Sequence, residues 1–242
     1  MSDLAKHTSG LPEISVLVPV WDRPEFLELL VMNLKSQQYP HHLLTVIIDD
    51  DGTRQFITDL QLFKQMMYPI RVNYIFGKQR RSIGKKRHDL IKACKTKIFA
   101  FMDSDDVYFP TYLTHSYELL KKNKYGCVGS DKMLFCMTDK DFGVYAINCG
   151  DNIKLIHEAT IMATKKWYNA SPKFANNSQG EGGHLFYGNE NRVGITNIDK
   201  IMVCVQHSGN TVDKLQFATD DKKVKVEISP EFKNILSNIL GK

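Results

Sequence analysis

Three aspartates are crowded behind an apolar run in FAFMDSDDVYFP, residues 99–110. Asp103, Asp105 and Asp106 follow a segment, KIFAFM, with the composition of a buried β-strand. Like charges this close repel one another and are costly to bury, so a cation or ligand hydroxyl groups would explain them best. Carboxylates are good ligands for Mg²⁺ or Mn²⁺, and diphosphate oxygens and water would complete the octahedral coordination of the ion. From these residues alone, the alternative is a turn that caps a helix after Pro110.

Two earlier predicted strands also end in polar groups. The strand ISVLVPV, Ile14–Val20, precedes Asp22 and Arg23, and LLTVII at residues 43–48 runs into three aspartates at 49–51. In open sheets of parallel strands, ligands bind beyond the carboxyl ends of the strands. The coincidence of three acidic strand ends therefore predicts one binding site at that edge.

The order of elements predicts an α/β fold with a doubly wound, mainly parallel sheet. Apolar runs predict strands, and helical spacing of apolar residues predicts the helices between them. In the first half, strands are predicted at 14–20, 43–48, 70–76 and 97–102, and helices around 26–34, 56–67, 86–93 and from 110. In the second half, strands are predicted at 126–130, 144–147 and 201–205, with helices at 159–168 and, weakly, from 230.

Composition and length are those of one globular domain. The 242 residues are 43% hydrophobic and 24% charged, and no apolar run reaches the roughly 20 residues that cross a bilayer. No signal-peptide pattern begins the sequence, so we expect a soluble protein in the cytoplasm. The five cysteines are scattered without a CxxC pair, which predicts reduced core thiols. The net charge of +5 suits an anionic ligand but is too small to indicate nucleic acid.

Three segments together resemble the nucleotide-binding half of a family 2-type glycosyltransferase of the GT-A fold. They are VLVPVWDRPEFLELLVMNLKSQQYP, VIIDDDG and IGKKRHDLIKACKTKIFAFMDSDDVYFP. The resemblance implies a single GT-A domain over 1–242, with an antiparallel acceptor-side part. Residues 12–120 would bind the nucleotide sugar, 121–215 the acceptor, and 216–242 would form a C-terminal tail. Enzymes of large DNA viruses are similar, as are bacterial ones; a viral enzyme would act in the host cytoplasm.

The resemblance also assigns the donor site. DSDD matches the DxD-type motif, which places Asp103 and Asp105 on the donor and Asp105 or Asp106 on a Mn²⁺ or Mg²⁺ ion. Asp51 would accept a hydrogen bond from the base, most often uracil, although DDDGT leaves a shift to Asp50 open. Pro19, Val20 and Arg23 would line the nucleotide pocket, against the alternative of a turn and a solvated arginine.

The basic loop KQRRSIGKKRH, residues 78–88, receives a role from the same resemblance. Lys86 and Arg87 would face the phosphates and stabilise the leaving group, although His88 stands where Asn is common. The alternative is a solvated surface loop. A nucleic-acid patch is disfavoured because no aromatic residues alternate with the charges.

The acceptor half would supply a general base and a further metal ligand. Glu181 in SQGEGGHLFYG is the predicted base, but Gly182 occupies the position of the family's usual Asp. Glu158, Asp151 and Glu190 are reserve candidates. His207, in a loop with Asn210 and Thr211, resembles the histidine that family members place on the metal, and imidazole suits Mn²⁺. A surface histidine is the alternative. Trp167 or Tyr168 would stack on an acceptor sugar unless it belongs to the core.

The predicted function is a metal-dependent, inverting transfer of a sugar from a nucleotide diphosphate, above all a UDP-sugar. The acceptor would be a hydroxyl group of a glycan or glycoprotein. Two alternatives remain open. A nucleotidyltransferase would need a Gly-rich loop after the first strand, and PVWDRPEF is not one. A non-catalytic nucleotide- or sugar-binding module would keep the fold without the base.

Overall fold

Two sheets form the core of the protein. The computed structural model describes residues 10–77, 79–148, 150, 152–210 and 215–241. Its strands are β1 Ile14–Val20, β2 Leu44–Asp50, β3 Arg71–Phe76, β4 Ile98–Phe101, β5 Val107–Tyr108, β6 Cys127–Gly129, β7 Lys132–Met137, β8 Gly143–Asn148, β9 Met162–Thr164, β10 Val193–Ile195 and β11 Met202–Gln206. Its α-helices are α1 Leu27–Ser36, α2 Leu60–Met67, α3 Ile83–Ala93, α4 Tyr112–Lys122, α5 Lys165–Ala170 and α6 Pro230–Leu240.

The larger sheet has seven strands in the order β10-β6-β9-β4-β1-β2-β3. Its half formed by β3, β2, β1 and β4 is parallel throughout. All seven residues of β1 are buried, since helices cover both faces of the sheet. Val16 packs in the core cluster with Leu30 of α1, while Leu17, on the opposite face, packs in the cluster with Leu90 of α3. The predicted helix–strand alternation of the first half is thus observed.

The second half differs from its prediction at three strands, β9, β7 and β10, and no strand was predicted at the position of β10. A helix was expected over residues 159–168, but Met162–Thr164 is a strand, antiparallel to both β4 and β6, and α5 begins only at Lys165. That prediction is wrong because sheet pairing on both sides overrides the local helical spacing. The strand β7 was not predicted at all, and it pairs with β8 and β11. Together with β5 these strands form a smaller, mixed sheet in the order β5-β11-β7-β8.

The C-terminal segment packs against the same core. Helix α6 begins at Pro230, where helical patterning was predicted, and contacts α1. Phe232 and Leu236 of α6 and Ile228 before it are buried in the larger core cluster. Within the part of the chain described, none of the helices has the length and apolarity that a membrane span requires.

Candidate active site

The loops that follow β1 and β2 are locked to each other. Asp22 adopts a positive φ of 48°, and its Oδ1 accepts hydrogen bonds from the N–H groups of Thr53 at 2.6 Å and Arg54 at 3.0 Å. A Cβ at Gly52 would lie 2.7 Å from the backbone nitrogen of Asp22, so only glycine permits this approach. The two strand ends therefore reach the site as one unit.

A cavity of about 770 Å³ opens where these loops meet the acidic loop after β4. Eight of the residues predicted from the sequence line it: Pro19, Val20, Arg23, Lys86, Arg87, Asp103, Asp105 and Glu181. The carboxyl ends of the parallel strands thus border a cavity, as expected for an open α/β sheet. Its volume lies in the range of small-molecule sites in proteins.

Asp51 lies behind the cavity lining, where it holds two basic side chains. Asp51 is 2% exposed. Its carboxylate forms an ion pair with the ammonium group of Lys86, lies 3.5 Å from Nε of Arg81 and accepts a 2.8 Å hydrogen bond from the Arg81 backbone N–H. Lys86 Nζ also donates to the carbonyl oxygen of Val20 at 2.6 Å. Burial lowers the pKa of Lys86, an effect that Asp51 opposes. Lys86 is therefore fixed at the cavity wall and is not part of a solvated loop.

The Asp50 carboxylate, unlike that of Asp51, holds the loop after β2. It accepts hydrogen bonds from Gly52 N–H at 3.0 Å, Phe56 N–H at 2.8 Å and the Tyr74 hydroxyl at 2.6 Å. These contacts close the loop after β2 and leave the Asp50 carboxylate fully buried. The one-residue shift of the base-reading role from Asp51 to Asp50 therefore finds no support in the geometry.

Arg87 joins the two halves of the site. Its Nη1 and Nη2 donate to both oxygens of Asp103 at 3.2 and 3.1 Å, and its Nε donates to Glu181 Oε1 at 3.2 Å. The guanidinium lies 4.8 Å from the ring centroid of Phe101. Burial alone would lower the pKa of Arg87, but Asp103, Glu181 and Glu158 together raise it above its ordinary value. Arg87 is therefore a permanent buried cation between three carboxylates.

Asp105 lies between an arginine and a histidine. It forms an ion pair with Nη1 of Arg23, whose Nη2 donates to the carbonyl oxygen of Gly209 at 2.8 Å. The Nε2 of His207 lies 3.0 Å from Asp105 Oδ2. Gly209 N–H donates to His207 Nδ1 at 3.1 Å, so Nε2 carries the proton that points toward Asp105. The alternatives of a solvated Arg23 and an isolated surface His207 do not match these positions.

Asp106 points away from the cavity. Its Oδ1 accepts a 2.9 Å hydrogen bond from the backbone N–H of Val205, and its carbonyl oxygen accepts one of 2.7 Å from Asn33. Asp106 therefore ties β11 to the acidic loop. Of the predicted metal ligands, Asp105 and His207 are brought together, while Asp106 is placed beside them with its Oδ1 turned to the backbone.

Two glutamates of the second half of the chain line the cavity. Glu181 is 6% exposed, and burial raises its pKa, an effect that Arg87 opposes and Glu158 adds to. Glu158 Oε1 accepts a 3.0 Å hydrogen bond from the backbone N–H of Gly182. Glu158 was only a reserve candidate in the sequence, and the structure places it beside Glu181 in the same cavity.

The other candidates from the second half of the chain do not line the cavity or lie outside the described residues. Glu190 begins a short 3₁₀-helix and does not line the cavity. Trp167 and Tyr168 are 0% and 2% exposed and pack in the core, so the prediction that either stacks on a sugar is wrong. Asp151, another reserve base, lies outside the described residues, and so does Thr211.

Several cavity residues were missed by the sequence reasoning. Trp21, directly after β1, lines the cavity with Arg80, whose guanidinium lies 3.4 Å from the indole centroid. Arg81 also lines it and pairs with Asp49 at 2.5 Å. For Trp21 the sequence offered a signal, because a tryptophan stands directly after a predicted buried strand. Met133 and His157 are brought to the cavity only by tertiary packing.

Metal ligands are sparse in the residues that the structure describes. Among them, no three His, Cys, Asp or Glu side chains converge as a metal-holding group. Asp105 Oδ2 and His207 Nε2 nevertheless lie 3.0 Å apart, and this oxygen and nitrogen would suit Mn²⁺ if the ring proton moved from Nε2 to Nδ1. Asp105 is at present bound by the Arg23 guanidinium and the His207 ring, and a divalent cation would have to replace these contacts.

Solved structures share this architecture. The mannosyltransferase PcManGT from Pyrobaculum calidifontis, in complex with GDP-Man and Mn²⁺, gives a TM-score of 0.63 at 15% identity and covers 86% of this chain and 59% of that one. S. aureus TarS 1-349 in complex with UDP-GlcNAc gives a TM-score of 0.61 at 14% identity and covers 94% of this chain and 65% of that one. The fold is therefore the GT-A fold of glycosyltransferases, and the predicted fold class is confirmed.

The sequence shows the family. The model of glycosyl transferase family 2 matches residues 15–187, and the chain belongs to that family. The putative teichuronic acid biosynthesis glycosyltransferase TuaG of Bacillus subtilis is 24% identical over 102 residues, 41% of this chain and 38% of TuaG. A glycosyltransferase of Rickettsia prowazekii is 24% identical over 111 residues, 46% of this chain and 33% of its own length. The match thus spans 33% to 38% of the length of these relatives. The predicted enzyme class, a glycosyltransferase, is confirmed by the family.

Proposed function

We propose that the protein transfers a sugar from a nucleoside diphosphate sugar, a UDP-sugar above others, to a hydroxyl group of a glycan or glycoprotein. The observation that carries this proposal is the cavity of about 770 Å³ between the two halves of the chain. One wall consists of the strand-end loops with Arg23, Asp103 and Asp105, and the other carries Glu158 and Glu181. A charged diphosphate and a proton-accepting group can therefore meet in one space.

The donor half would bind the nucleotide and its phosphates. Pro19 and Val20 border the pocket, and Lys86 and Arg87 supply fixed positive charge at its wall. Charge that is already oriented stabilises a departing diphosphate without reorganisation during the reaction. The role of Asp51 as a contact to the base stays a prediction, since its carboxylate now holds Lys86 and Arg81.

Asp105 and His207 would hold a divalent cation, Mn²⁺ or Mg²⁺. The ion would neutralise the diphosphate and favour its departure as a leaving group. We assign the carboxylate ligand to Asp105 and not to Asp106, because Asp105 lines the cavity, whereas Asp106 Oδ1 binds the Val205 N–H behind it. PcManGT, with the same fold, was solved with Mn²⁺, which supports the choice of metal.

The acceptor hydroxyl would attack the anomeric carbon from the side of the two glutamates. Glu181, predicted from the sequence as the base, lines this side together with Glu158. Attack opposite the departing diphosphate inverts the anomeric carbon. The donor and acceptor are held in place, so orientation and electrostatics would supply most of the rate enhancement.

The test is a turnover assay with UDP-Glc, UDP-GlcNAc, UDP-Gal and GDP-Man, each with Mn²⁺, that measures release of UDP or GDP. We expect slow hydrolysis of at least one donor without an acceptor, and a strong loss of it in Asp105→Asn. Absence of turnover and binding with every donor, in folded protein, would contradict the proposal. Binding without turnover would favour the non-catalytic module.

A further inference from the structure

Glu158 fills the space that a side chain at position 182 would occupy. A Cβ built on Gly182 would lie 2.5 Å from Glu158 Oε1, 2.9 Å from its Cγ and 3.1 Å from its Cδ, and these are its three nearest heavy atoms. The φ of Gly182 is not positive, so the backbone does not demand glycine there. The Glu158 carboxylate can therefore occupy its position only because residue 182 has no side chain.

The turn that carries Glu158 is firmly anchored. His157 N–H donates to the carbonyl oxygen of Ser130 at 2.8 Å, and the Thr160 hydroxyl donates to the His157 carbonyl oxygen at 2.6 Å. Ser130 N–H in turn donates to Thr160 Oγ1 at 2.8 Å. The Gly182 N–H then fixes Oε1 of Glu158. Hydrogen bonds therefore fix both the backbone around Glu158 and one oxygen of its carboxylate.

The two glutamates differ in what they are bonded to. Glu181 is buried, and its Oε1 accepts a hydrogen bond from Nε of Arg87, whose Nη1 and Nη2 donate to Asp103. Glu158 is half-buried, lines the cavity and forms its hydrogen bond with a neutral backbone N–H. Protonation of Glu181 would break its ion pair with Arg87, which also binds Asp103. Among the described residues no cation forms an ion pair with Glu158, so a proton taken by the Glu158 carboxylate breaks none.

We propose that Glu158 is the general base of the transfer and that Glu181 is a positioning residue, which holds Arg87 against Asp103. The inference rests on the proposed function and deepens it. The Glu158 carboxylate takes the proton of the acceptor hydroxyl while that oxygen's electron pair forms the bond to the anomeric carbon. The bond from that carbon to the diphosphate oxygen breaks, and its electron pair leaves with the nucleoside diphosphate. Glu158 then returns its proton to solvent.

The test compares isosteric variants in the hydrolysis of whichever nucleotide sugar the wild-type protein turns over, with water in place of the acceptor. Glu158→Gln keeps an oxygen for the Gly182 N–H but removes the basicity, so we expect kcat to fall by about 10²- to 10⁴-fold with an unchanged nucleotide Kd. Glu181→Gln keeps an acceptor for Arg87 Nε, so we expect a loss of no more than about tenfold. Glu181→Ala, which removes that acceptor, is expected to lose more than Glu181→Gln, the pattern of a positioning residue.

A rescue variant guards against a merely structural effect. Glu158→Ala combined with Gly182→Asp moves the carboxylate onto position 182, into the space vacated by Glu158. We expect it to turn over faster than Glu158→Ala alone. Equal losses in the two Gln variants, a larger loss in Glu181→Gln, or no rescue by the double variant would overturn the assignment. Failure of the proposed function is a distinct result, because the wild-type protein would then bind and turn over none of the donors.

Discussion

Three basic side chains at the cavity wall are already paired with carboxylates. Lys86 pairs with Asp51, Arg87 with Asp103, and Arg23 with Asp105. An incoming diphosphate therefore competes for cations whose positions are fixed, and it need not organise flexible side chains. Buried pairs of this kind are costly to break from one side, since the remaining charge is left without its partner.

The pair of Lys86 and Asp51 gives a stability prediction. Lys86→Met leaves the Asp51 carboxylate with Arg81 as its remaining basic contact, and we expect the free energy of unfolding to fall by about 3 kcal/mol. Urea denaturation followed by circular dichroism measures the change. Lys86→Met combined with Asp51→Asn should cost clearly less than the sum of the single variants. A cost of Lys86→Met within experimental error would contradict the importance of the pair.

The two neighbouring acids of the DSDD loop give a prediction on metal binding. Asp105→Asn should weaken Mn²⁺-dependent binding of UDP by about 100-fold, because it removes the charged ligand. Asp106→Asn is the matched control, since an amide oxygen can still accept from the Val205 N–H. Calorimetric titration of UDP into each variant compares them. Equal losses in both would show that Asp106 also binds the metal.

At the scale of elements, strand ends deliver the site and loop contacts hold it. Gly52 is needed where the loop after β2 meets Asp22, whereas a Cβ at Gly77 would meet no heavy atom within 4 Å. We expect Gly52→Ala to destabilise the fold by about 2 kcal/mol through overpacking, and Gly77→Ala to be close to neutral. Thermal unfolding of both variants, with nucleotide titration, measures the effect. Similar stabilities would show that the two loops are not locked.

The contact between α3 and α5 gives a pH prediction. His88 Nδ1 lies 2.8 Å from the Tyr168 hydroxyl, and burial lowers the pKa of His88, an effect that Asp89 opposes while Lys92, Lys85 and Lys173 add to it. The unfolded chain then binds a proton more readily than the folded one, so stability is lost as the pH falls through the ordinary range of histidine. We expect the melting temperature to drop by about 2 °C more in the wild-type protein than in His88→Gln between pH 8 and pH 5.5. Equal drops would contradict this role of His88.

The first half of the fold could be predicted because its signals are local. β1 was predicted with its observed bounds, Ile14–Val20, and β2 and β4 within two residues, since buried parallel strands are continuous apolar runs. The half-exposed edge strand β3 was predicted within one residue. β9 was missed because three residues between two partner strands take their structure from pairing, which no local pattern records.

The site residues also fall into those that the sequence reveals and those that only the fold brings together. The acids at the strand ends are visible in the sequence, because each follows an apolar run directly. The contact between Glu158 and Gly182 joins residues 24 positions apart, and neither residue signals the other. Only the fold reveals why a glycine follows Glu181.

The C-terminal helix α6 is part of the core on which the larger sheet packs. Leu236 of α6 is fully buried, and α6 packs on α1, which itself lies against the sheet that carries the strand ends. We expect Leu236→Ala to lower the free energy of unfolding by about 3 kcal/mol by leaving a cavity. Asn238→Ala, on the exposed face of the same helix, is the control and should change little. Comparable effects in urea denaturation would show that α6 does not stabilise the core.

The most direct test of the central claim is calorimetric titration of the whole protein with UDP and then GDP, each with Mn²⁺ and with EDTA. The claim is that the cavity between the two halves binds a nucleoside diphosphate together with a divalent cation held by Asp105 and His207. It predicts binding of UDP that is tighter with Mn²⁺ and is weakened or lost with EDTA. Binding of neither nucleotide by protein shown to be folded would contradict it, and would leave the acids at the strand ends as residues that close turns.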